Sequence, residues 1–294
     1  MKYSLIENQS DLDKVIEEIY SSNCKEIAVD LEGESNLHRY GFHLCLIQIK
    51  TCIDCYLIDP LAIDDLSGVK RIFEDESIQK MMYAAEFDVK LLFFTHKIEL
   101  KGLFDLQMAA KLLGLEKLSL KNALETFIDI QVPKSKKKQQ SNWSLRPLRL
   151  SLLEYAAADV YFLFDLKNRM LPELENNGFM KNLIKTNKSI ENVRFAEVKH
   201  PHLSIKRSQK LNRRATVYLK HFYELREHIA KENDVPVFKV IRNNDLAKIA
   251  KYPPVDESKW LELNELTSLA KNRIGDFLLS KEAADREVKS LNVK

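Results

Sequence analysis

The chain has 294 residues, 45% hydrophobic and 30% charged, with a formal net charge of +3. That length supports one sizeable core and a smaller second one. No apolar run reaches the roughly 20 residues that a membrane span needs, and Met1 to Asp13 lacks the apolar stretch of a signal peptide, so a cytoplasmic protein with no membrane partner is expected.

The first helix is predicted over Asp11 to Tyr20, where Leu12, Val15, Ile16 and Ile19 share one side. Short β-rich runs follow at Glu26 to Glu32, Leu44 to Ile49 and Cys55 to Ile58, and their short spacers predict an antiparallel meander. Ser67 to Glu74 reads as a helix, Lys80 to Ala84 as a strand, and Asp88 to Phe94 as the helix after it. Leu103 and Phe104 suggest a short fifth strand, with helices at Gln107 to Leu113 and Ser119 to Phe127. Residues 131–147 are polar, basic and broken by two prolines, which reads as a loop. Leu150 to Arg169 returns to helical periodicity. The fold class is therefore α/β, a mixed sheet flanked by helices. A boundary is expected between 190 and 210, and 210–294 reads as all-helical. Three apolar faces mark it: Leu219, Phe222, Leu225 and Ile229; Leu246, Ile249 and Ala250; and Trp260, Leu263, Leu266 and Leu269.

The modest net charge hides two basic clusters. Lys199, Lys206, Arg207, Lys210, Arg213, Arg214 and Lys220 occur with no acid between them, and Lys134, Lys136, Lys137 and Lys138 form a second group. Such runs suit polyanion contact, or else a solvated linker and loop. The cysteines are Cys24, Cys45, Cys52 and Cys55. Cys52 and Cys55 make a C-x-x-C pair, but a zinc site needs two further ligands at suitable spacing, and His43 and Cys45 match no standard pattern. Reduced thiols are the expectation.

Asp30 and Glu32 interrupt an otherwise apolar strand. Residues i and i+2 of a strand face the same way, so both carboxylates project together. Two close anions repel unless a cation sits between them, and hard cations favour carboxylate oxygens; a strand end turning outward to water is the other reading. Asp88 falls at a helix start, where negative charge is favourable in its own right. Tyr155 and Asp159 are spaced i, i+4 and share a helix face. Small Ala156, Ala157 and Ala158 between them allow close approach to a sheet or a ligand.

The order of these features, a strand with D-x-E, an Asp after a later strand, then Y-x-x-x-D on a late helix, resembles the three exonuclease motifs of the DEDD superfamily, in its DEDDy branch. LCLIQI at 44–49, YLIDPL at 56–61, FDLQMAAKLLG at 104–114 and NWSLRPLRLSLLEYAAADVYFL at 142–163 sharpen the resemblance to ribonuclease D. It covers residues 1 to 190. Residues 211–294 resemble an HRDC domain, the helical nucleic-acid-binding module of ribonuclease D and RecQ helicases, through LREHIAKENDVPVFKVIRNNDLAKIAKYPP. The chain departs from that pattern at Leu263-Asn264-Glu265-Leu266, where many such domains carry a Gly-containing turn.

The resemblance implies an RNase H-like exonuclease domain at 1–195, a basic linker at 196–209 and an HRDC-like domain at 210–294. It implies two divalent ions, Mg²⁺ or Mn²⁺, held by Asp30, Glu32, Asp88 and Asp159. Asp30 would bridge them, Glu32 and Asp159 would complete the nucleophile side, and Asp88 would act on the other ion. Tyr155 would position or deprotonate the attacking water. The expected reaction is trimming of RNA 3′ ends with release of nucleoside 5′-monophosphates. A 3′→5′ DNA exonuclease and a catalytically silent nucleic-acid-binding scaffold are the alternatives. A monomer acting on RNA with a free 3′ end is expected, with DNA as a second substrate class.

Substrate contacts are expected from several further residues. Lys134, Lys136, Lys137 and Lys138 would meet backbone phosphates. Leu31 and Phe87 are wall residues or core. Gln48, in an apolar strand, would satisfy a buried backbone group. Trp143 offers a face for base stacking or an anchor for its loop. Arg146 reaches a phosphate, or braces the loop against a carboxylate near the site.

Overall fold

Alternation along the ten-residue strand Glu26–Ser35 divides its apolar side chains between two cores. The computed structural model describes residues 1–132 and 136–291, and only the backbone of Lys136; Lys134 lies outside the described residues. Two units are distinguished, residues 1–34 with 42–195, and residues 35–41 with 196–291.

The first unit holds β1 (Ser4–Ile6), α1 (Gln9–Ser21), β2 (Glu26–Ser35), β3 (Phe42–Lys50), β4 (Cys55–Ile58), α2 (Ser67–Glu74), β5 (Gln79–Met82), α3 (Glu86–His96), β6 (Leu103–Asp105), α4 (Leu106–Leu112), α5 (Leu120–Ile128), α6 (Lys136–Gln139), α7 (Leu150–Tyr161), α8 (Leu163–Asn176) and α9 (Met180–Glu191). The six strands form one sheet in the order β1-β4-β3-β2-β5-β6. β1 runs parallel to β4, β4 antiparallel to β3, and β5 parallel to both β2 and β6. This is the mixed sheet with flanking helices that the pattern predicts.

Two apolar cores result. Ile27, Val29 and Leu31 of β2 join Leu12, Val15, Ile16 and Ile19 of α1 and Val89, Leu91 and Leu92 of α3 in one core. Ala28 joins the other, with Ala156, Ala157 and Val160 of α7 and Leu163 and Leu166 of α8. Full burial of each such branched aliphatic side chain contributes about 1.5–3 kcal/mol. Asp30 and Glu32 continue the Ala28 side of β2, which carries them beyond the apolar layer toward α7. Ala156 and Ala157 are completely buried, and α7 packs on β3 and β4.

Local signals explain some of the boundaries. Asn8 caps α1 by accepting from the Asp11 N–H at 3.0 Å. Gly33, next to Glu32, leaves no room for a side chain: a Cβ there would lie 2.6 Å from Leu91 Cδ2 and 3.0 Å from the His43 carbonyl oxygen. Three features differ from expectation. β1 has three residues, too few for alternation to register. The predicted helix Leu150 to Arg169 is two helices, broken at Phe162 (φ −103°, ψ 7°). One non-helical residue leaves Leu153, Val160, Leu163 and Leu166 in the same core, so apolar spacing hardly records it. The 131–147 stretch contains α6, one turn long.

The second unit is helical: α10 (Arg213–Glu232), α11 (Asn243–Lys251), α12 (Glu257–Leu261), α13 (Ser268–Lys271) and α14 (Ile274–Leu291). Phe222, Trp260 and Phe277 form its centre, with ring centroids 5.1–6.2 Å apart. The predicted Trp260–Leu269 face does not belong to one helix. α12 ends at Leu261, Leu266 is buried outside any helix, and α13 restarts at a Thr267 cap whose hydroxyl accepts from the Ala270 N–H at 3.3 Å. Within 196–209, Pro201–Ser204 and Ser208–Lys210 are short 3-10 turns, and His202, Ile205 and Ser208 are buried.

Candidate active site

Asp30 and Glu32 of β2 meet Asp159 of α7 at one point: each offers a carboxylate oxygen, and these oxygens all lie within 4.8 Å of one another. Tyr155, one helical turn before Asp159, directs its hydroxyl to the Asp159 carboxylate. All four border a cavity of about 330 Å³ whose wall also includes Tyr83 and Gln107. Asp88, in the first turn of α3, is outside the tight trio and does not line the cavity, yet its charge reaches Asp30 and Glu32.

The electrostatics are those of anions out of water. Burial, then the charges of Asp159 and Asp88, hold the Asp30 carboxyl well above the usual carboxylate range. Burial and the same neighbours, Asp30 first, push Glu32 the same way. Asp88 is raised to about 8 by burial, with Asp105 adding to it. Asp159 is raised to about 7 by burial, against the opposing effects of the Tyr155 hydrogen bond and the Lys138 ammonium. Burial and the charges of Asp159, Glu32 and Asp30 push the Tyr155 hydroxyl upward, so without a cation it remains a proton donor at neutral pH. Carboxylates so crowded and desolvated are relieved by a divalent cation, and hard oxygen donors suit Mg²⁺ or Mn²⁺. The donor set therefore fits the metals that the sequence suggests.

The substrate-contact residues fare unevenly. Trp143 is only 1% exposed and packs beneath Tyr155, with ring centroids 6.2 Å apart. It anchors the loop; its faces are not open to a base. Arg146 braces that loop as well. Its guanidinium forms a forked ion pair with Asp59, Nη2 to Oδ1 at 2.6 Å, and donates to the carbonyls of Trp143 (2.8 Å), Leu145 (2.9 Å) and Cys45 (2.7 Å). With five bonds to protein, it is not the phosphate ligand. Leu31 borders the cavity but is buried in the core with α3. Phe87 is away from the cavity, in a ring cluster with Phe42 at 6.4 Å and Phe195 at 5.9 Å. Lys138 lies over the Tyr155 ring, 5.9 Å from its centroid, and Lys137 is exposed; Lys134 and the Lys136 side chain fall outside the described residues. Gln48 is completely buried, but neither side-chain polar atom has a hydrogen-bond partner among the described residues, so it does not satisfy a backbone group.

Sequence reasoning missed two groups. Asp105 accepts from the N–H groups of Ala84 (3.3 Å), Ala85 (2.9 Å), Gln107 (2.8 Å) and Met108 (3.1 Å). It holds Ala84 at φ 64°, in the left-handed region that non-glycine residues rarely adopt, and thereby fixes the turn leading to Asp88. Its cap spacing to Gln107 and Met108 was visible; its grip on Ala84 was not. Tyr83 carried no signal, and its buried hydroxyl has no partner among the described residues.

Comparison with known proteins identifies the family of the chain. A family model described as 3′-5′ exonuclease matches residues 3–175, and one for the HRDC domain matches 216–280. The exosome complex exonuclease RRP6 of Saccharomyces cerevisiae is 28% identical over 85% of this chain and 36% of its own length. Ribonuclease D of Zymomonas mobilis is 31% identical over 88% of this chain and 67% of its own. The chain thus spans only about a third of the first exosome relatives, with 28% and 30% of the Drosophila melanogaster and human proteins covered. The crystal structure of Escherichia coli RNase D, an exoribonuclease involved in structured RNA processing, superposes with a TM-score of 0.79 at 26% identity, over 97% of this chain and 76% of that one. The chain belongs to the ribonuclease D family of 3′-5′ exonucleases, with an HRDC domain following the exonuclease domain in sequence.

Proposed function

We propose that the protein is a metal-dependent 3′→5′ exoribonuclease that removes nucleoside 5′-monophosphates from RNA 3′ ends, structured-RNA precursors among them. The observation that carries this reading is the convergence of Asp30, Glu32 and Asp159 within 4.8 Å beside Tyr155. Asp30, Glu32 and Asp159 would hold one divalent ion, Mg²⁺ or Mn²⁺, and Asp88 would help hold a second. Bound there, divalent ions supply positive charge to the attacking and leaving oxygens of an in-line phosphoryl displacement.

The chain's own groups do the positioning. The Tyr155 hydroxyl, pushed toward its protonated form first by burial and then by its anionic neighbours, would orient the attacking water. Trp143 supports the Tyr155 ring from below. The Arg146–Asp59 pair ties the 142–147 segment to the end of β4, so the helix carrying Tyr155 starts from a fixed point. Asp105 fixes the turn before Asp88. The division of labour would fall between 1–195 as exonuclease and 210–294 as HRDC module, with the basic segment 196–209 between them in sequence. The protein would work as a cytoplasmic monomer; no helix among the described residues is long and apolar enough to cross a membrane.

Matched 3′-hydroxyl RNA and DNA strands incubated with Mg²⁺, Mn²⁺ or EDTA test the reading. Stepwise, metal-dependent shortening of RNA is expected. Shortening of DNA alone would move the assignment to a DNA exonuclease, and no shortening of either would leave a binding scaffold.

A further inference from the structure

A second cavity, of about 600 Å³, lies between α6 and the start of α7. Consecutive residues of α6 separate it from the carboxylates: Lys137 and Lys138 line this cavity, while Gln139 lines the one with Asp30 and Asp159. Its wall includes Lys137, Lys138, Arg146 and Arg149, and among the described residues it contains no Asp or Glu. Arg146 is committed to Asp59, but Arg149 is exposed, and so is Lys137. Apolar surface alternates with this charge: Leu145, 59% exposed, and Leu148 face the same space. The first turn of α7 carries no acid, and its N-cap residue makes no side-chain capping bond.

The substrate's polarity gives this arrangement a meaning. A 3′-terminal phosphodiester must enter a cluster of carboxylates that repels phosphate. Every further phosphate lies on the 5′ side, and a cationic surface across α6 from the carboxylates offsets that repulsion. Phosphate contacts of this kind are sequence-blind and salt-dependent, and apolar side chains between them suit unstacked bases of any identity.

We propose that the cavity between α6 and α7 is the path of the single strand 5′ to the scissile bond, its phosphates held by Lys137, Lys138 and Arg149 and its bases resting on Leu145 and Leu148. This rests on the exonuclease reading above. It extends the role of the α6 lysines to a defined groove and adds Arg149, Leu145 and Leu148 to the binding surface.

The test compares wild type with Arg149→Ala and with Lys137→Ala/Arg149→Ala, both changes at exposed positions. Binding of a fluorescent RNA octanucleotide is measured by anisotropy in EDTA across a salt series, and kcat/KM is measured with Mg²⁺ for the octanucleotide and a dinucleotide. Withdrawing one cationic side chain from a phosphate makes the slope of log affinity against log salt shallower by about 0.7, so shifts of about 0.7 and about 1.4 are expected. The octanucleotide also loses its advantage over the dinucleotide, through KM rather than kcat. Unchanged slopes and an unchanged ratio between the two substrates would overturn the path while leaving the exonuclease reading intact. A salt slope that shifts as expected in a protein that hydrolyses neither substrate would support the path and overturn the exonuclease reading.

Discussion

Replacing Asp30 with Asn should stabilise the metal-free protein. Carboxylate oxygens of Asp30, Glu32 and Asp159 lie within 4.8 Å of one another. Two unit charges at that separation repel by about 3.5 kcal/mol at an effective dielectric near 20. The three groups are half-buried, and the cluster relaxes by keeping a proton, so solvent screening and protonation reduce the recoverable part to about 2 kcal/mol. For a domain of this size that is a rise in Tm of about 4–8 °C. The sign follows from the upward shifts. A carboxyl whose folded pKa lies above its unfolded value binds more protons in the folded state, so its favourable contribution is complete below about pH 4. It is lost as pH rises through 7 to 8, the values of Asp159 and Asp88. Thermal unfolding in EDTA should therefore show Asp30→Asn more stable than wild type at pH 8 and equal to it at pH 4. With Mg²⁺ at a hundredfold excess over its Kd, wild type should gain about 2.7 kcal/mol and the variant less. A lower Tm for Asp30→Asn at pH 8 in EDTA would refute the reasoning, since it would make Asp30 a structural group.

Three further substitutions separate positioning from packing. Arg146→Ala leaves Asp59, only 1% exposed, without its cation, which should cost about 3–5 kcal/mol; Arg146→Lys should recover only part of this because the fork is lost, and full recovery in thermal melts would contradict the geometry. Trp143→Ala should cost about 3–5 kcal/mol in urea unfolding, whereas a base-stacking role would instead raise KM at unchanged stability. Tyr155→Phe should lower kcat by about 10²–10⁴-fold with Mg²⁺ affinity and Tm close to wild type; loss of metal binding measured by calorimetry would make the hydroxyl a ligand rather than a water-orienting group.

What the sequence disclosed depended on the range of each interaction. Asp30 with Glu32, and Tyr155 with Asp159, were legible because strand and helix periods place neighbours two and four apart on one side. That the two pairs meet was legible only through the order of motifs, since their separation in sequence exceeds any local period. Asp88 entered by the same route, and it stands close to the trio without joining it. Arg146 has a partner 87 residues away, so spacing left its role open between phosphate and brace, and only the folded chain decides for the brace. Trp143 was undecided for a different reason: an indole that stacks on a base and one that packs on Tyr155 use the same surface. Asp105 was hidden because its second function, holding Ala84 and Ala85, acts across 21 and 20 residues.

The central claim is hydrolysis from a 3′ end at the Asp30–Glu32–Asp159 cluster, and product analysis of one 5′-labelled RNA tests it most directly. With Mg²⁺, wild type should give a ladder of labelled strands shortened one nucleotide at a time, together with unlabelled nucleoside 5′-monophosphates. EDTA or Asp30→Asn should abolish both. Internal cleavage, release of the labelled end first, or a ladder that persists in EDTA or in folded Asp30→Asn would contradict the account.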